Sequence, residues 1–371
     1  MDSETGPASV RLDPIELAVE TLRAGGSVVV VDDEGRENEG DLLFPAATAT
    51  VEQVAFMIRY TSGFICVGMT GSDLDRLDLP PMTAVNEDRK GTAYAVTVDA
   101  RSVRSTGISA EDRVTTMHAL ADPASAPSDL TRPGHVMPLR AVPGGVLRRP
   151  GHTEAAVDLV GLADLAPAGV LCELTNDDGT MMHAADCRRF CDQHGLPLIS
   201  IADLIRHRLS YDKLVERVAE SSLPTVAGSM QAVAYLSTVD GSEHLALYVG
   251  DIADGQDVLV RVHAECLYGD VFGSRLCSCR ERLHRSLELI QQEGRGVLVY
   301  IRPQAHPSDV ATGPSIVAAH RTVDELDYGL GSQILADLGV RSMILLTANP
   351  NRRYHLAPFG LSITGTRTLD A

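Results

Sequence analysis

Residues 28–41, VVVVDDEGRENEGD, join an unbroken apolar run to six carboxylates and one guanidinium. Four successive valines suit a strand buried on both faces. Asp32, Asp33, Glu34, Glu37, Glu39 and Asp41 follow, with Arg36 the only cation among them. Like charges at such short range need solvent or a bound cation to offset their repulsion. An acidic turn closing a strand is the plainer account of the cluster. The segment Arg36-Glu37-Asn38-Glu39-Gly40-Asp41 goes further, since its Asn and Gly suit a tight loop presenting carboxylates beside a guanidinium. Oxygen-rich sites of this kind hold Mg²⁺ or Mn²⁺.

Three more segments carry groups able to do chemistry. Ser105-Thr106-Gly107-Ile108-Ser109 places hydroxyls and a glycine ahead of a helix, where phosphate can bind, although Ser109 by itself reads better as a helix N-cap. Arg149-Pro150-Gly151-His152-Thr153 sets a guanidinium, a glycine permitting close approach, an imidazole and a hydroxyl before a helix expected from Glu154. That mixture suits a phosphate and a metal together, whereas a lone histidine is more often a satisfied polar residue. Cys172-Glu173-Leu174 places a carboxyl inside a strand between apolar neighbours, a candidate acid/base; a rim carboxylate on an edge strand is the competing view.

The elements that must position these groups are partly punctuated. A first helix takes Asp13 as N-cap, Pro14 at N1 and Glu16 at N3, and ends at Gly25-Gly26, with Ile15, Ala18, Val19 and Leu22 as its apolar stripe. Strands are expected at 28–31, 64–69 and 93–99, and a helix from Ser109 through Thr116. Residues 121–151, rich in Pro and Gly and carrying His135 and several arginines, read as a long functional loop. Helix, strand, helix, strand, helix follow from Glu154 to about Arg208, the last capped by Ser200. Residues 209–224 read as a linker. Beyond it the pattern gives strands near 231–237, 244–250 and 257–263, a helix at 280–293, a strand at 297–301, a helix at 331–338 and a strand at 342–347.

The totals bound the partners. A chain of 371 residues accommodates two domains, and a hydrophobic share of 44% with a mean hydropathy of +0.02 is that of a soluble globular protein. The N-terminus lacks the apolar core of a secretory signal and no apolar run is long enough to span a bilayer, so a cytoplasmic protein without membrane contact is expected. A net charge of −18 without a basic block argues against a nucleic-acid partner. Lys90 and Lys213 are the only lysines, and neither has an apolar setting suited to a Schiff base, so carbonyl chemistry here points to a metal. Seven cysteines, an odd number, argue against a disulfide framework.

Taken in order, VVDDEGRENEGD, TGISAEDRVTT, RPGHVMPLRA, RRPGHTEAAVDL and GVLCELTNDDGTM resemble the 3,4-dihydroxy-2-butanone 4-phosphate synthase family across residues 10 to 208. The resemblance implies a metal-binding glutamate at Glu37 and histidine at His152. It implies substrate contacts at Arg36, Glu37, Asp41, Arg149, Gly151 and Thr153, and acid/base residues at His135 and Glu173. The implied reaction takes D-ribulose 5-phosphate to 3,4-dihydroxy-2-butanone 4-phosphate and formate through a metal-stabilised enediolate, with no organic cofactor. Family members are homodimers with sites at the interface. The implied fold is α+β: an N-terminal α/β/α layered domain with a mixed sheet, residues 1–208, the linker 209–224, and a second α/β domain, residues 225–371.

That second domain resembles GTP cyclohydrolase II through Arg261-Val262-His263-Ala264-Glu265-Cys266, Gly269-Asp270-Val271-Phe272-Gly273-Ser274 and, weakly, Leu346-Thr347-Ala348-Asn349-Pro350. Cys266, Cys277 and Cys279 are spaced to bind Zn²⁺ with a fourth position open, against a reading as three incidental thiols. Other positions depart from the family. Pro303-Gln304-Ala305-His306-Pro307 stands where the family carries Gln-Glu-Gly-Arg-Gly. Asp324 is kept, but Leu326 replaces the arginine that follows it; Arg282 replaces a glutamine and Arg352 a lysine. Leucine cannot attack a phosphate, and lost anion contacts weaken triphosphate binding. The expectation is a synthase whose second domain is a folded, zinc-binding pseudoenzyme. The alternatives are a bifunctional enzyme that also opens GTP, with Arg321 substituting for the missing arginine, and a non-catalytic zinc- or nucleotide-binding regulatory protein.

Overall fold

The structure is a computed structural model, described over residues 10–302, 325–347, 356 and 359–369. Pro303-Gln304-Ala305-His306-Pro307, Arg321, Asp324, Ala348-Asn349-Pro350 and Arg352 lie outside the described residues. The chain divides into two compact units, Met1–Arg208 and Leu209–Ala371.

In the first unit the helices are α1 (Ile15–Arg23), α2 (Val51–Tyr60), α3 (Gly71–Arg76), α4 (Ala110–Ala121), α5 (His152–Leu162), α6 (Ala184–His194) and α7 (Ile201–Tyr211), which runs on into the second. Strands β1 (Val28–Val31), β2 (Gly40–Pro45), β3 (Cys66–Met69), β4 (Val98–Ala100), β5 (Leu130–Arg140), β6 (Ala168–Glu173) and β7 (Leu198–Ser200) form one mixed sheet in the order β4-β5-β3-β6-β2-β1-β7. Side chains alternate between its faces. Val28, Val30, Leu43 and Leu171 pack with Ile15, Leu22, Leu159 and Leu204 of α1, α5 and α7. Val29, Leu42, Phe44 and Val170 pack on the other side with Val54, Met117 and Phe190 of α2, α4 and α6. The unit is therefore the expected α/β/α layering.

In the second unit β8 (Val215–Thr225), β9 (Gly228–Ser237), β10 (Glu243–Val249), β11 (Val258–Ala264), β12 (Gly296–Ile301), β13 (Ser342–Thr347) and β14 (Ser362–Thr368) form a mixed sheet in the order β14-β13-β11-β12-β10-β9-β8. Helix α8 (Cys279–Glu293) covers one face through Leu287 and Ile290. Helix α9 (Glu325–Asp337) meets the other, where Tyr235 donates to Asp337 at 2.6 Å.

Several local expectations are overturned. Asp13 does not cap α1; Pro14 holds that position, and the Asp13 carboxylate accepts from Leu198 N at 2.9 Å and Arg188 at 2.8 Å, tying the chain start to β7 and α6. The supposed loop 121–151 contains the eleven-residue strand β5. Its Pro138 turns its carbonyl, and with it the missing donor, toward Ala95 rather than β3, so no bond to β3 is lost. Of the expected strand 93–99 only Val98 and Asp99 belong to β4, Tyr94 making an isolated bridge to Leu139. Residues 209–224 form the end of α7 and most of β8, an edge strand whose exposed polar face disguises its pairing with β9. Ser109 does cap α4, accepting from Asp112 N at 3.1 Å, and Ser200 accepts from Asp203 N at the start of α7.

Candidate active site

The register of β1, β2 and β6 gathers the N-terminal candidates. Val30 pairs with Asp41 and Asp41 with Glu173, so the three stand in one row across the sheet. Directly opposed residues share a face, and here that face is the one covered by α5. Between β1 and β2 the acidic loop closes on Asp32, whose buried carboxylate accepts from the backbone of Glu37 and Glu39 at 3.0 Å each and from Arg36 at 3.0 Å. Asn38 supplies the left-handed turn residue. Asp32 thus spends its charge holding the loop, which leaves Glu37 to face α5.

Helix α5 begins at His152, two residues earlier than expected, and no side chain caps it. His152 is buried; its Nε2 meets Val30 O at 3.1 Å and lies 3.9 Å from Asp41, while Nδ1 is 3.6 Å from Glu37 Oε2. Arg36 reaches the same Glu37 oxygen at 2.5 Å. His152 and Arg36 together hold the Glu37 carboxyl down to about 2 against the opposing effect of burial. Burial disfavours charge on His152, but the carboxylates of Asp41, Glu37 and Asp32 more than reverse this and raise it to about 9. Asp41, fully buried, is pushed up to about 7 by desolvation, with His152 opposing. Glu39 is raised too, first by burial and then by Glu173 and Glu37.

Around these groups lies a cavity of about 200 Å³ lined by Arg36, Glu37, Glu39, Asp41, Cys66 and Thr92, among others. Arg149, His152, Thr153 and Glu173 complete its polar wall. A first side-chain carbon at Gly151 would clash with Arg149 Nη1, Arg36 Nη2 and Glu154 Oε2, so glycine is what lets both guanidiniums close over the start of α5. Two guanidiniums beside an uncapped helix start suit a phosphate. Glu173 ends β6, where its Oε2 accepts from Ser62 Oγ at 2.7 Å.

A divalent cation fits this donor set. Oxygen and imidazole atoms of Asp32, Glu37 and His152 lie within 4.8 Å of one another, and the buried Asp41 Oδ1 has no hydrogen-bond partner among the described residues. Neighbouring octahedral ligands about 2.1 Å from Mg²⁺ stand about 3 Å apart, so His152 and Glu37, at 3.6 Å, need only a small approach to share one ion.

One expected catalytic residue lies elsewhere. His135, on β5, is not among the residues lining the cavity. Its Nδ1 and backbone N each meet the Asp99 carboxylate at 2.8 Å, and Gly107, at φ +92°, leaves room for that pair. Ser105 Oγ and Gly107 N both donate to the Asp112 carboxylate, so in this chain the TGIS segment organises the start of α4. Sequence reasoning missed Asp99, Ser62, Glu154 and the loop role of Asp32; only Asp32, first after the valines, carried a local signal.

In the second unit the thiols of Cys266, Cys277 and Cys279 lie within 4.8 Å of one another, with Cys266 and Cys277 at 3.7 Å. Gly269 donates to Cys266 Sγ at 3.4 Å, and a side chain there would strike Cys277. Beneath them Asp270 accepts from Cys266 N and Tyr300 and meets His263 at 3.0 Å. Among the described residues no helix is long and apolar enough to cross a membrane.

Residues 16–207 match the family of 3,4-dihydroxy-2-butanone 4-phosphate synthase and residues 216–368 that of GTP cyclohydrolase II. The riboflavin biosynthesis protein RibBA of Salinispora arenicola is 56% identical over 95% of this chain and 87% of its own, and that of Nocardia farcinica is 56% identical over 95% and 90%. Among solved structures, RibBX of A. baumannii, described as a two-domain 3,4-dihydroxy-2-butanone 4-phosphate synthase, is 34% identical with a TM-score of 0.78, covering 96% of this chain and 99% of that one. A 3,4-dihydroxy-2-butanone 4-phosphate synthase in complex with two magnesium ions is 42% identical with a TM-score of 0.53, covering 54% and 99%.

Proposed function

We propose, for a chain that belongs to the 3,4-dihydroxy-2-butanone 4-phosphate synthase family of riboflavin biosynthesis and carries a GTP cyclohydrolase II domain, the following division of labour. The first unit takes D-ribulose 5-phosphate to 3,4-dihydroxy-2-butanone 4-phosphate and formate. The observation that carries this is the single row Val30–Asp41–Glu173 facing His152 and Glu37 over one cavity.

Glu37 and His152 hold Mg²⁺ or Mn²⁺, with Asp41 beside them. When bound, the ion supplies Lewis-acid polarisation of the substrate's carbonyl and hydroxyl oxygens. Arg36, Arg149 and Thr153 at the start of α5 take the phosphate, and Gly151 lets it approach; this fixes the carbon chain along the row of carboxylates. Glu173, oriented by Ser62, accepts and returns protons at Oε2. His135, steered by Asp99, is the second proton carrier; it serves the cavity of a second copy, and the homodimer is the working unit. The similar synthase solved with two magnesium ions supports the divalent cation, and the similar two-domain synthase supports the synthase activity.

For the second unit, the Cys266, Cys277 and Cys279 cluster suits Zn²⁺ with an open fourth position. Leu326 and Arg282 support a loss of cyclohydrolase chemistry. A bifunctional enzyme is the second reading, favoured by the intact thiol cluster. A formate assay decides: the proposal expects release from ribulose 5-phosphate and none from GTP with Zn²⁺. Formate and pyrophosphate from GTP at enzymatic rates would establish the second reading, and no formate from either substrate would refute both.

A further inference from the structure

Glu154 is 1% exposed, two residues past His152 on α5. A carboxylate this deeply buried must be fully paired. Its Oε2 accepts from Arg149 Nη1 at 2.6 Å and its Oε1 from Val142 N at 3.0 Å. One turn further along the same helix, Asp158 accepts from Val146 N at 2.8 Å and from Arg208 at 2.7 Å, and Arg208 also reaches Gly144 O at 2.9 Å. Two carboxylates of α5 therefore pin the segment 142–149 that delivers Arg149. The other half of the guanidinium is fixed by Lys90 O at 3.1 Å and Thr92 Oγ1 at 3.2 Å. Arg36 is aimed in a parallel way by buried Asp32, and the two guanidiniums meet at Gly151.

We infer that Glu154 is a positioning residue for anion recognition: it holds Arg149 in the one orientation that closes on a phosphate at the start of α5. This rests on the reading of Arg149 as a phosphate contact. An arginine of many rotamers must otherwise be ordered by each incoming ligand, and a carboxylate in place beforehand removes that cost. Glu154 acts on binding of the phosphate rather than on proton movement at the reacting carbons.

The test is kinetic, with inorganic phosphate as competitive probe. Glu154→Gln keeps the shape and removes the charge. It is expected to raise KM for ribulose 5-phosphate and Ki for phosphate together by about tenfold, with a smaller change in kcat, as befits one charge-assisted bond. In an Arg149→Gln background the same change should leave Ki nearly where Arg149→Gln alone puts it. Should Glu154→Gln not fold, Glu154→Asp, which withdraws the carboxylate by one methylene, gives the same measurement. If Arg149→Gln raises Ki and the Glu154 variant does not, or if the two effects simply add, the inference is overturned and the reading of Arg149 stands. If Arg149→Gln leaves Ki unchanged, that reading fails and the inference with it.

Discussion

His152 Nε2 lies 3.9 Å from Asp41 Oδ1, and that buried carboxylate oxygen has no hydrogen-bond partner among the described residues. An imidazole and an orphaned carboxylate facing one another inside a protein are costly unless something else binds there. The cost is visible in their charge states and leads to the first two predictions.

Desolvation raises the Asp41 carboxyl from 3.8 to about 7. A carboxyl raised in the fold favours folding while protonated; that stability is complete below the ordinary value and is lost as pH rises through about 7. Asp41→Asn should therefore stabilise the cation-free protein at pH 8, by about 1–3 kcal/mol, and make no difference near pH 4. Thermal unfolding in chelator at the two pH values measures it. The same variant should bind divalent cation more weakly.

His152 carries its proton to about pH 9, because Asp41, Glu37 and Asp32 outweigh the effect of burial. A cation can use the imidazole only after that proton leaves. Mn²⁺ affinity should rise between pH 6.5 and 9, by up to about tenfold per unit, with about one proton released per ion bound at pH 7.5. Calorimetry in buffers of different ionisation enthalpy counts the protons. In His152→Ala both the affinity and its pH dependence should fall away.

His135 stands with Asp99 outside the cavity that holds Glu173. If a second copy supplies His135, then His135→Ala and Glu173→Gln chains should each be inactive and complement when mixed. Half of randomly reassembled dimers would be mixed, each with one intact site, so about a quarter of wild-type activity should return. No recovery, with exchange of chains verified, would place His135 and Glu173 in the same protomer's site.

The thiol cluster makes a separate prediction. Purified protein should contain about one Zn²⁺ per chain, since three thiolates form a strong partial site. Cys277→Ser should lose the metal and leave formate release from ribulose 5-phosphate unchanged. Elemental analysis beside the synthase assay checks both.

The site was more legible than the scaffold, for a physical reason. Glu37, Asp41, His152 and Thr153 sit in short segments whose charges are unusual for the end of a strand or the start of a helix. The valine run and the strand of Glu173 were readable, but their meeting depends on the β1–β2–β6 register, and β2 was not among the expected strands. Asp99, Ser62 and Glu154 were invisible, because each matters through a partner distant in the chain or, for Glu154, through a loop held against its own helix. Strand β5 was hidden by Pro133 and Pro138, β8 by its exposed polar face, and β14, SITGTRT, by its lack of large apolar side chains. Edge strands take their identity from the neighbour they pair with, and that neighbour is not written in their own residues.

Anomalous diffraction from crystals grown with Mn²⁺ and a sugar phosphate tests the central claim most directly. The account predicts a manganese peak within bonding distance of both Glu37 and His152, with the phosphate against Arg149 and the start of α5. Manganese bound elsewhere, or those two side chains turned apart around an occupied substrate site, would contradict it.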